Sequence, residues 1–492
     1  MPLGLTQKLG ILHRSPHDAC SVLPAAPVEQ KIRWVPSRYT VRAVTEDGRL
    51  VLWNTFRGTM SIFPPDKRQS VEMLLSRKGF EYPEKGVVRY LSRRGFLIKD
   101  GTDEMRQFQL RFGQQHYRND VLQLILLASE DCNFRCTYCY EKFARGTMTP
   151  EVRGGVRALV EKRARTLRSL TLSWFGGEPL YGWEAVEDLA PFFLETAQKH
   201  DIHYSSNMTT NGYLLVPEVA DKLLEWKCNR FQITIDGPAE THNCSRPARD
   251  GSETYDTILR NLVAMHRRPE PFVVDLRVNF DKTNAPMLHD FLETVERSFE
   301  HDRRFNLRLR AVGGWGGEND DKLALCTEDE SQRITAEITR EARKRGLILA
   351  DELREVNNLG SQVCYAARPY NFIVGANGNL MKCTIDLDQN DRNIVGRLLP
   401  DGELELDLER FALWTEPAFE KDSQCKKCVI LPTCQGMHCP QIRFDYNRPP
   451  CTPLRANFKA QMRAAADTGS ELNTHVRIDR ETGRVELEKA AT

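Results

Sequence analysis

The chain has 492 residues, more than one ordinary core needs, so two or three domains are expected. Its 69 basic residues balance 68 acidic ones to a formal net charge of +1, so overall charge argues for neither nucleic acid nor a membrane surface as partner. Forty per cent hydrophobic residues suffice for packed cores, and the longest apolar run, near Val121, is about eight residues against the roughly 20 of a spanning helix.

Residues 1–30 contain Pro and Ala without periodicity and read as a loose arm. Polar residues and prolines break this arm, making it a poor secretory signal, and a cytoplasmic protein is expected. "YTVRAV" and "RLVLWN" read as two strands around a turn at Asp47-Gly48, with "GTMSIF" as a third. "KRQSVEMLLSRKGF" and "KGVVRYLSRRGFLI" have helical spacing, each stopped near a glycine. Residues 31–112 thus form a small α+β module that resembles a winged helix.

From residue 121 strands and helices alternate. The strands are "VLQLILLA", "SLTLSWF", "HYSSNMTTN", "NRFQITID", "PFVVDLRVNF" and "NLRLRAV". Parallel neighbours need long crossovers, so this order implies a parallel sheet over 121–317, either flat or curled into a barrel. Unusual residues fall at the strands' carboxyl ends: Cys132, then "GGEP" at 176–179, "TTNG" at 209–212 and "DGP" at 236–238. In α/β barrels that face carries the active site. A charged helical bridge spans 318–363, a cysteine-rich region 364–455, and a polar tail 456–492 with a short hairpin, "HVRIDRETGRVELE".

Ten of the 14 cysteines fall into two groups, which in a reducing compartment suggests metal or redox chemistry. Cys20, Cys228, Cys244 and Cys326 are scattered and read as small hydrophobes. Cys132, Cys136 and Cys139 share one loop with no nearby histidine. Zinc favours four ligands in paired knuckles. Three thiolates on a [4Fe–4S] cluster leave one iron open to a cofactor.

The Cys-x3-Cys-x2-Cys spacing, with Tyr138 before the last cysteine, resembles the signature of the radical S-adenosylmethionine (SAM) family. The resemblance implies a partial (β/α)6 barrel, a SAM-binding cluster and a 5′-deoxyadenosyl radical that abstracts substrate hydrogen. It implies that Gly176, Gly177, Glu178 and Pro179 lie against the SAM amino group and that Tyr138 flanks the adenine. Thr210, Thr234, Arg246 and Arg277 become candidate ribose or carboxylate contacts. Asp236 and Glu141 are the candidates for a general base, and His242 is given no role.

Cys364, Cys383, Cys425, Cys428, Cys434, Cys439 and Cys451 are too many for one tetrahedral metal, so two sites are expected. The pattern resembles the SPASM domain and its two auxiliary [4Fe–4S] clusters, although the Cys434–Cys439 interval is x4 where that family usually has x3. The resemblance assigns Cys425, Cys428, Cys434 and Cys451 to the farther cluster, and Cys364, Cys383 and Cys439 to the nearer. The nearer cluster's fourth position is left to Cys326 or stays open; two zinc ribbons are the competing reading.

SPASM enzymes mostly modify ribosomally made peptides, and the N-terminal module resembles their leader-recognition unit. Its sheet edge suits an added leader strand, with the basic residues of "KRQ", "SRKG" and "LSRRGF" beside it. The expected function is a peptide maturase that installs an oxidative crosslink (C–C, C–S or C–O), served by a low-potential electron donor of flavodoxin or ferredoxin type. The alternatives are oxidation of a folded protein, as in anaerobic sulfatase maturation, and a redox-sensing DNA-binding regulator.

Overall fold

The computed structural model describes residues 31–143, 145–350, 360–387, 391–467, 474–478 and 485–489. The arm over 1–30 lies outside them. The chain enters through β1 (Ile32–Pro36) and a meander of β2 (Thr40–Val44), β3 (Leu50–Asn54) and β4 (Thr59–Phe63). There follow α1 (Pro65–Ser76), β5 (Phe80–Tyr82), α2 (Gly86–Arg93), β6 (Leu97–Lys99) and α3 (Glu104–His116). The three strands and two helices read from sequence are present. β1 additionally pairs antiparallel with β5 and with β6.

Residues 97–99 are strand, although Leu97 and Ile98 stand in a stretch quoted for its helical spacing. Gly95 ends α2's run at φ +81, where an added Cβ would stand 2.5 Å from Arg57 Cγ, and only glycine accepts that turn without strain. Side chains alternate through the meander. Leu50, Leu52 and Phe63 join Trp34, Val71, Leu75, Leu91 and Leu97 in one core. Val51, Trp53, Met60 and Ile62 face the other way.

The central unit runs β7 (Val121–Ser129), α4 (Pro150–Ala164), β8 (Ser169–Gly176), α5 (Trp183–Lys199), β9 (His203–Thr210), α6 (Pro217–Glu225) and β10 (Cys228–Thr234). It continues through α7 (Ala239–Ser245), α8 (Tyr255–His266), β11 (Val273–Phe280), α9 (Leu288–Phe299) and β12 (Phe305–Ala311). All six expected strands form, in parallel and in chain order. The sheet does not close. Beyond β7 it continues into β13 (Asn371–Val374), parallel, then β14 (Asn379–Met381), β15 (Ile394–Leu398) and β16 (Leu404–Leu406), antiparallel. The cysteine-rich region is therefore hydrogen-bonded onto the barrel sheet. The expected bridge contains α10 (Glu328–Lys344), opened by a Thr327–Glu330 capping box.

The C-terminal segment departs from a polar tail. A helix over Leu454–Asp467 buries Leu454, Phe458, Met462 and Ala465, spaced three and four apart. These pack on the outward face of the N-terminal meander, with the Phe458 and Trp53 ring centroids 4.7 Å apart. The expected hairpin forms as β17 (Thr474–Ile478) and β18 (Val485–Lys489), and β17 lies parallel to β4. Among the described residues no helix is long and apolar enough to cross a membrane.

Candidate active site

β7 delivers the chain to the cysteine loop. Ser129 Oγ donates to the Asp131 carbonyl and accepts from the Asp131 amide, both at 3.1 Å. Arg135 Nη1 bonds the carbonyls of Cys132 and Phe134 at 2.6 Å. The Arg135 and Thr137 amides donate to Pro247 and Ser245, which pins the loop to the far side of the barrel mouth. Cys132 is buried, while Cys136 and Cys139 are half-buried, and all three line one cleft. Burial pushes all three thiols up, Cys139 to about 12. Metal binding here must therefore displace protons.

The two glycines after β8 exist for backbone approach. Gly176 sits at φ +116, and a Cβ there would lie 2.1 Å from the Ser129 carbonyl oxygen. A Cβ on Gly177 would lie 2.7 Å from that of Asp131. In their place the Gly177 and Glu178 amides donate to Ser129 O and Asp131 O, at 3.0 and 3.1 Å. The Glu178 carboxylate turns away from the cleft. It accepts from the Leu180 amide (3.0 Å), Thr210 Oγ1 (2.7 Å) and the Asn211 amide (2.7 Å). Glu178 and Thr210 thus clamp the β8 and β9 ends together, and Pro179 opens the short turn that follows.

Burial pushes Glu178 up to about 7 from 4.5, although those three bonds pull the other way. The folded chain then holds a proton that the unfolded chain has lost, so stability from this group is full below 4.5 and lost as pH rises through about 7. Glu178→Gln is expected to flatten the decline in stability over that window, by up to about 3 kcal/mol at one pKa unit per 1.36 kcal/mol. Denaturant melts of the metal-free protein at stepped pH would show it, and parallel curves for the two proteins would refute it.

Tyr138, Thr210, Thr234, Arg246 and Arg277 also line the cleft. The Tyr138 hydroxyl donates to Asp236 and accepts from Arg246 Nη1 (2.7 Å) and Asn279 Nδ2 (3.0 Å). Arg246 is buried; desolvation opposes its charge, but Cys136, Tyr138 and Asp236 outweigh it and hold the guanidinium firmly protonated. Arg277 Nε donates to Asn279 Oδ1 at 2.8 Å. Asp236 is buried and also accepts from the Asn279 amide at 2.9 Å, so its carboxylate orients Tyr138. It borders a neighbouring cleft rather than this one. His242 is buried and accepts the Asp236 amide at 3.1 Å, a positioning contact. Glu141 does line the cleft; burial first, then Glu130 and Glu178, push it up to about 8.

Sequence reasoning gave no individual role to Phe175, Tyr140, Phe143, Asn211, Asn279 and Trp315, which also line the cleft. Asn211 lies within "TTNG", and its Nδ2 bonds Asn133 Oδ1 at 2.8 Å, tying that loop to the cysteine loop. Trp315 stands 49% exposed in "GGWGG", where the glycines were its only signal.

Residues 126–295 match the family model described as the radical SAM superfamily. The chain carries a radical SAM domain. It is similar to the radical SAM cyclopropyl synthase TigE of Paramaledivibacter caminithermalis, at 24% identity over 36% of this chain and 40% of that protein. A cysteine-type anaerobic sulfatase-maturating enzyme of Clostridium perfringens is 32% identical over 28% of this chain and 38% of its own. Each match spans well under two thirds of the curated relative. Among solved structures, hexahistidine-tagged anSMEcpe with bound AdoMet shares the fold at 19% identity and a TM-score of 0.52, covering 71% of this chain and 93% of that one.

Outside the radical SAM domain the remaining clustered thiols gather twice. Cys425, Cys428, Cys434 and Cys451 line one small cavity with Ile430, Leu431 and Arg455. Cys364, Cys383 and Cys439 are electrostatic neighbours of one another. Burial pushes Cys364 to about 11 and Cys383 to about 12. The long Cys434–Cys439 interval holds two left-handed residues, Gln435 (φ 53) and Gly436 (φ 66). That turn takes the chain from the four-thiol cavity to the three-thiol group. Asn393 fixes the latter, its Oδ1 accepting the amides of Lys382 (3.0 Å) and Cys383 (2.8 Å). The charged neighbours of Cys326 are Glu330, Asp281 and Lys282.

Proposed function

We propose that the chain is a peptide-modifying radical SAM enzyme that oxidatively crosslinks a ribosomally made precursor peptide. The observation that carries this reading is one cleft, at the carboxyl ends of six parallel strands, lined by Cys132, Cys136, Cys139, Gly176, Gly177, Arg246 and Arg277. The donor sets fit iron–sulfur clusters: three thiols beside an open cleft, four around a small cavity, and three more near one another. Cys132, Cys136 and Cys139 would hold a cluster that, with SAM, would supply a 5′-deoxyadenosyl radical.

The chain's own part is placement. Gly176 and Gly177 let backbone come close where the SAM amino group would lie, and Arg246 and Arg277 offer cations for its carboxylate. Tyr138 is locked by three partners and so presents a fixed ring edge for the adenine. Cys364, Cys383 and Cys439, and Cys425, Cys428, Cys434 and Cys451, would hold the two auxiliary clusters that accept the surplus electron of a two-electron oxidation. Tyr140, Phe143, Phe175 and Trp315 form an aromatic mouth for an extended substrate segment. The N-terminal module would dock the leader; some basic residues singled out there already serve the fold, Arg68 bonding Glu72 and Arg94 bonding the Met60 carbonyl.

The test is anaerobic incubation of reconstituted protein with SAM, dithionite and the small peptide encoded beside the gene. The expected product is the peptide lighter by two hydrogens, with 5′-deoxyadenosine formed alongside. The similarity to the cysteine-type sulfatase-maturating enzyme favours a second reading. Oxidation of a cysteine-containing sulfatase peptide, with the neighbouring peptide unchanged, would replace crosslinking by that activity.

A further inference from the structure

The N-terminal sheet has the strand order β18-β17-β4-β3-β2, so the C-terminal hairpin covers the edge that β4 would otherwise present. A free strand edge is a template for an added strand. Two attachments hold the C-terminal segment to this sheet, and they differ in kind. The helix over Leu454–Asp467 is fixed by apolar packing, its Phe458 and Met462 sharing one buried core with Trp53 and Ile62, and Arg49 Nη1 holds its Ala466 carbonyl at 3.0 Å. The hairpin is joined as an extra strand. Among the described residues one pair, His475 with Ile62, links β17 to β4, against five pairs linking β3 to β4 and five within the hairpin. The joint is parallel, and a parallel ladder is slightly less stable per residue than an antiparallel one. Two residues along the same outward row, the Met60 carbonyl accepts from Arg94 Nη2, a side chain rather than a strand. Both occupants of that row can withdraw while β2, β3 and β4 keep their own ladder.

Charge points the same way. β18 comes beside α2. The helix, GVVRYLSR, carries Arg89 and Arg93 and is followed by Arg94, whereas β18, VELEK, carries Glu486 and Glu488. An acidic strand thus lies next to a basic helix. The opposite edge, β2, runs beside the fixed helix, whose Arg463 Nε donates to the Val44 carbonyl at 2.8 Å.

We infer that the C-terminal hairpin is a displaceable occupant of the leader-docking edge, which an extended, acidic segment of the precursor peptide takes over by adding to β4 in place of β17. The inference rests on the reading above that the N-terminal module docks a leader. An antiparallel segment can pair along all five residues of β4 (Thr59–Phe63), where β17 uses one, so the exchange gains ladder bonds. While β17 is in place no peptide adds, and apparent affinity falls by the fraction of molecules whose edge is free.

The experiment compares fluorescence anisotropy of the labelled peptide encoded beside the gene on the full chain and on a chain ending at Asp467, which keeps the packed helix. The shortened chain is expected to bind about tenfold tighter, the ratio for an edge free in about one molecule in ten. Equal binding overturns the inference, and weaker binding does too, since the hairpin would then be part of the docking site. Glu486→Lys with Glu488→Lys, at full length, is expected to tighten binding in the same direction, which covers misfolding of the shortened chain; unchanged affinity in this variant counts against displacement. Hydrogen exchange on the unaltered chain gives an independent readout. Saturating peptide is expected to speed exchange over residues 474–478 while the β4 amides stay protected, and unchanged exchange there overturns the inference. Peptide binding to none of these proteins refutes leader docking itself, and the inference with it, whereas equal binding to all refutes displacement alone.

Discussion

Replacing Cys132, Cys136 or Cys139 singly by Ala is expected to bring 5′-deoxyadenosine formation down to the enzyme-free background. The three thiols line one cleft whose described lining contains no histidine and no fourth cysteine, so no side chain is placed to substitute for a lost ligand. Unfolding would not explain the loss. A Cys→Ala change in this loop removes one small group, about 1 kcal/mol by the usual range of point substitutions, while Arg135, Ser129 and the Pro247 and Ser245 carbonyls still hold the backbone. Iron content, a melting curve and chromatographic quantitation of 5′-deoxyadenosine on the same samples check this. A variant that keeps the parent rate would mean that the radical SAM domain does not work through this loop.

Gly176→Ala is expected to weaken SAM binding by about a hundredfold, the scale on which a displacement of roughly 1 Å acts on a preorganised site. Its φ of +116 is closed to ordinary L residues, and the new Cβ would stand 2.1 Å from the Ser129 carbonyl oxygen. The backbone strain alone is about 1–3 kcal/mol. Relief by moving Ser129 would break its bond from the Gly177 amide and the β7–β8 register that ends there, shifting the cysteine loop it leads into. Gly154 in α4 is the matched control. A Cβ there meets nothing within 4 Å, so Gly154→Ala should be neutral or stabilising by about 0.5–1 kcal/mol. Equilibrium dialysis with labelled SAM and melts of both variants would check the pair. Equal SAM affinity in Gly176→Ala and its parent would remove the close-approach argument.

Much of the cleft was legible because its signals are local. Three thiols within eight positions and a GGEP turn are recognisable wherever they fold, and strand–helix alternation announces a parallel sheet before any contact is known. The roles of individual side chains were less legible. Glu178 belongs to the right motif, yet its carboxylate is directed at the β9 end rather than at the cleft. Asp236 stands at the right rim, yet Tyr138 and Asn279 enclose it. β5 and β6 were passed over because strands of three residues each are too short to display alternation.

From its own order of residues the chain determined the strand sequence of the barrel, the grouping of its cysteines and the positions where only glycine serves, since each depends on neighbours a few residues apart. Tertiary structure alone decided that the helix over Leu454–Asp467 closes the face of a sheet begun at residue 40, and that β13 extends the barrel sheet beyond β7. It also decided that Lys382, of a residue type normally found in water, is buried with its ammonium 5.1 and 5.2 Å from the Phe372 and Phe411 ring centroids. The reason is physical: burial and charge pairing depend on which distant segment covers a residue, and local spacing carries no record of that segment.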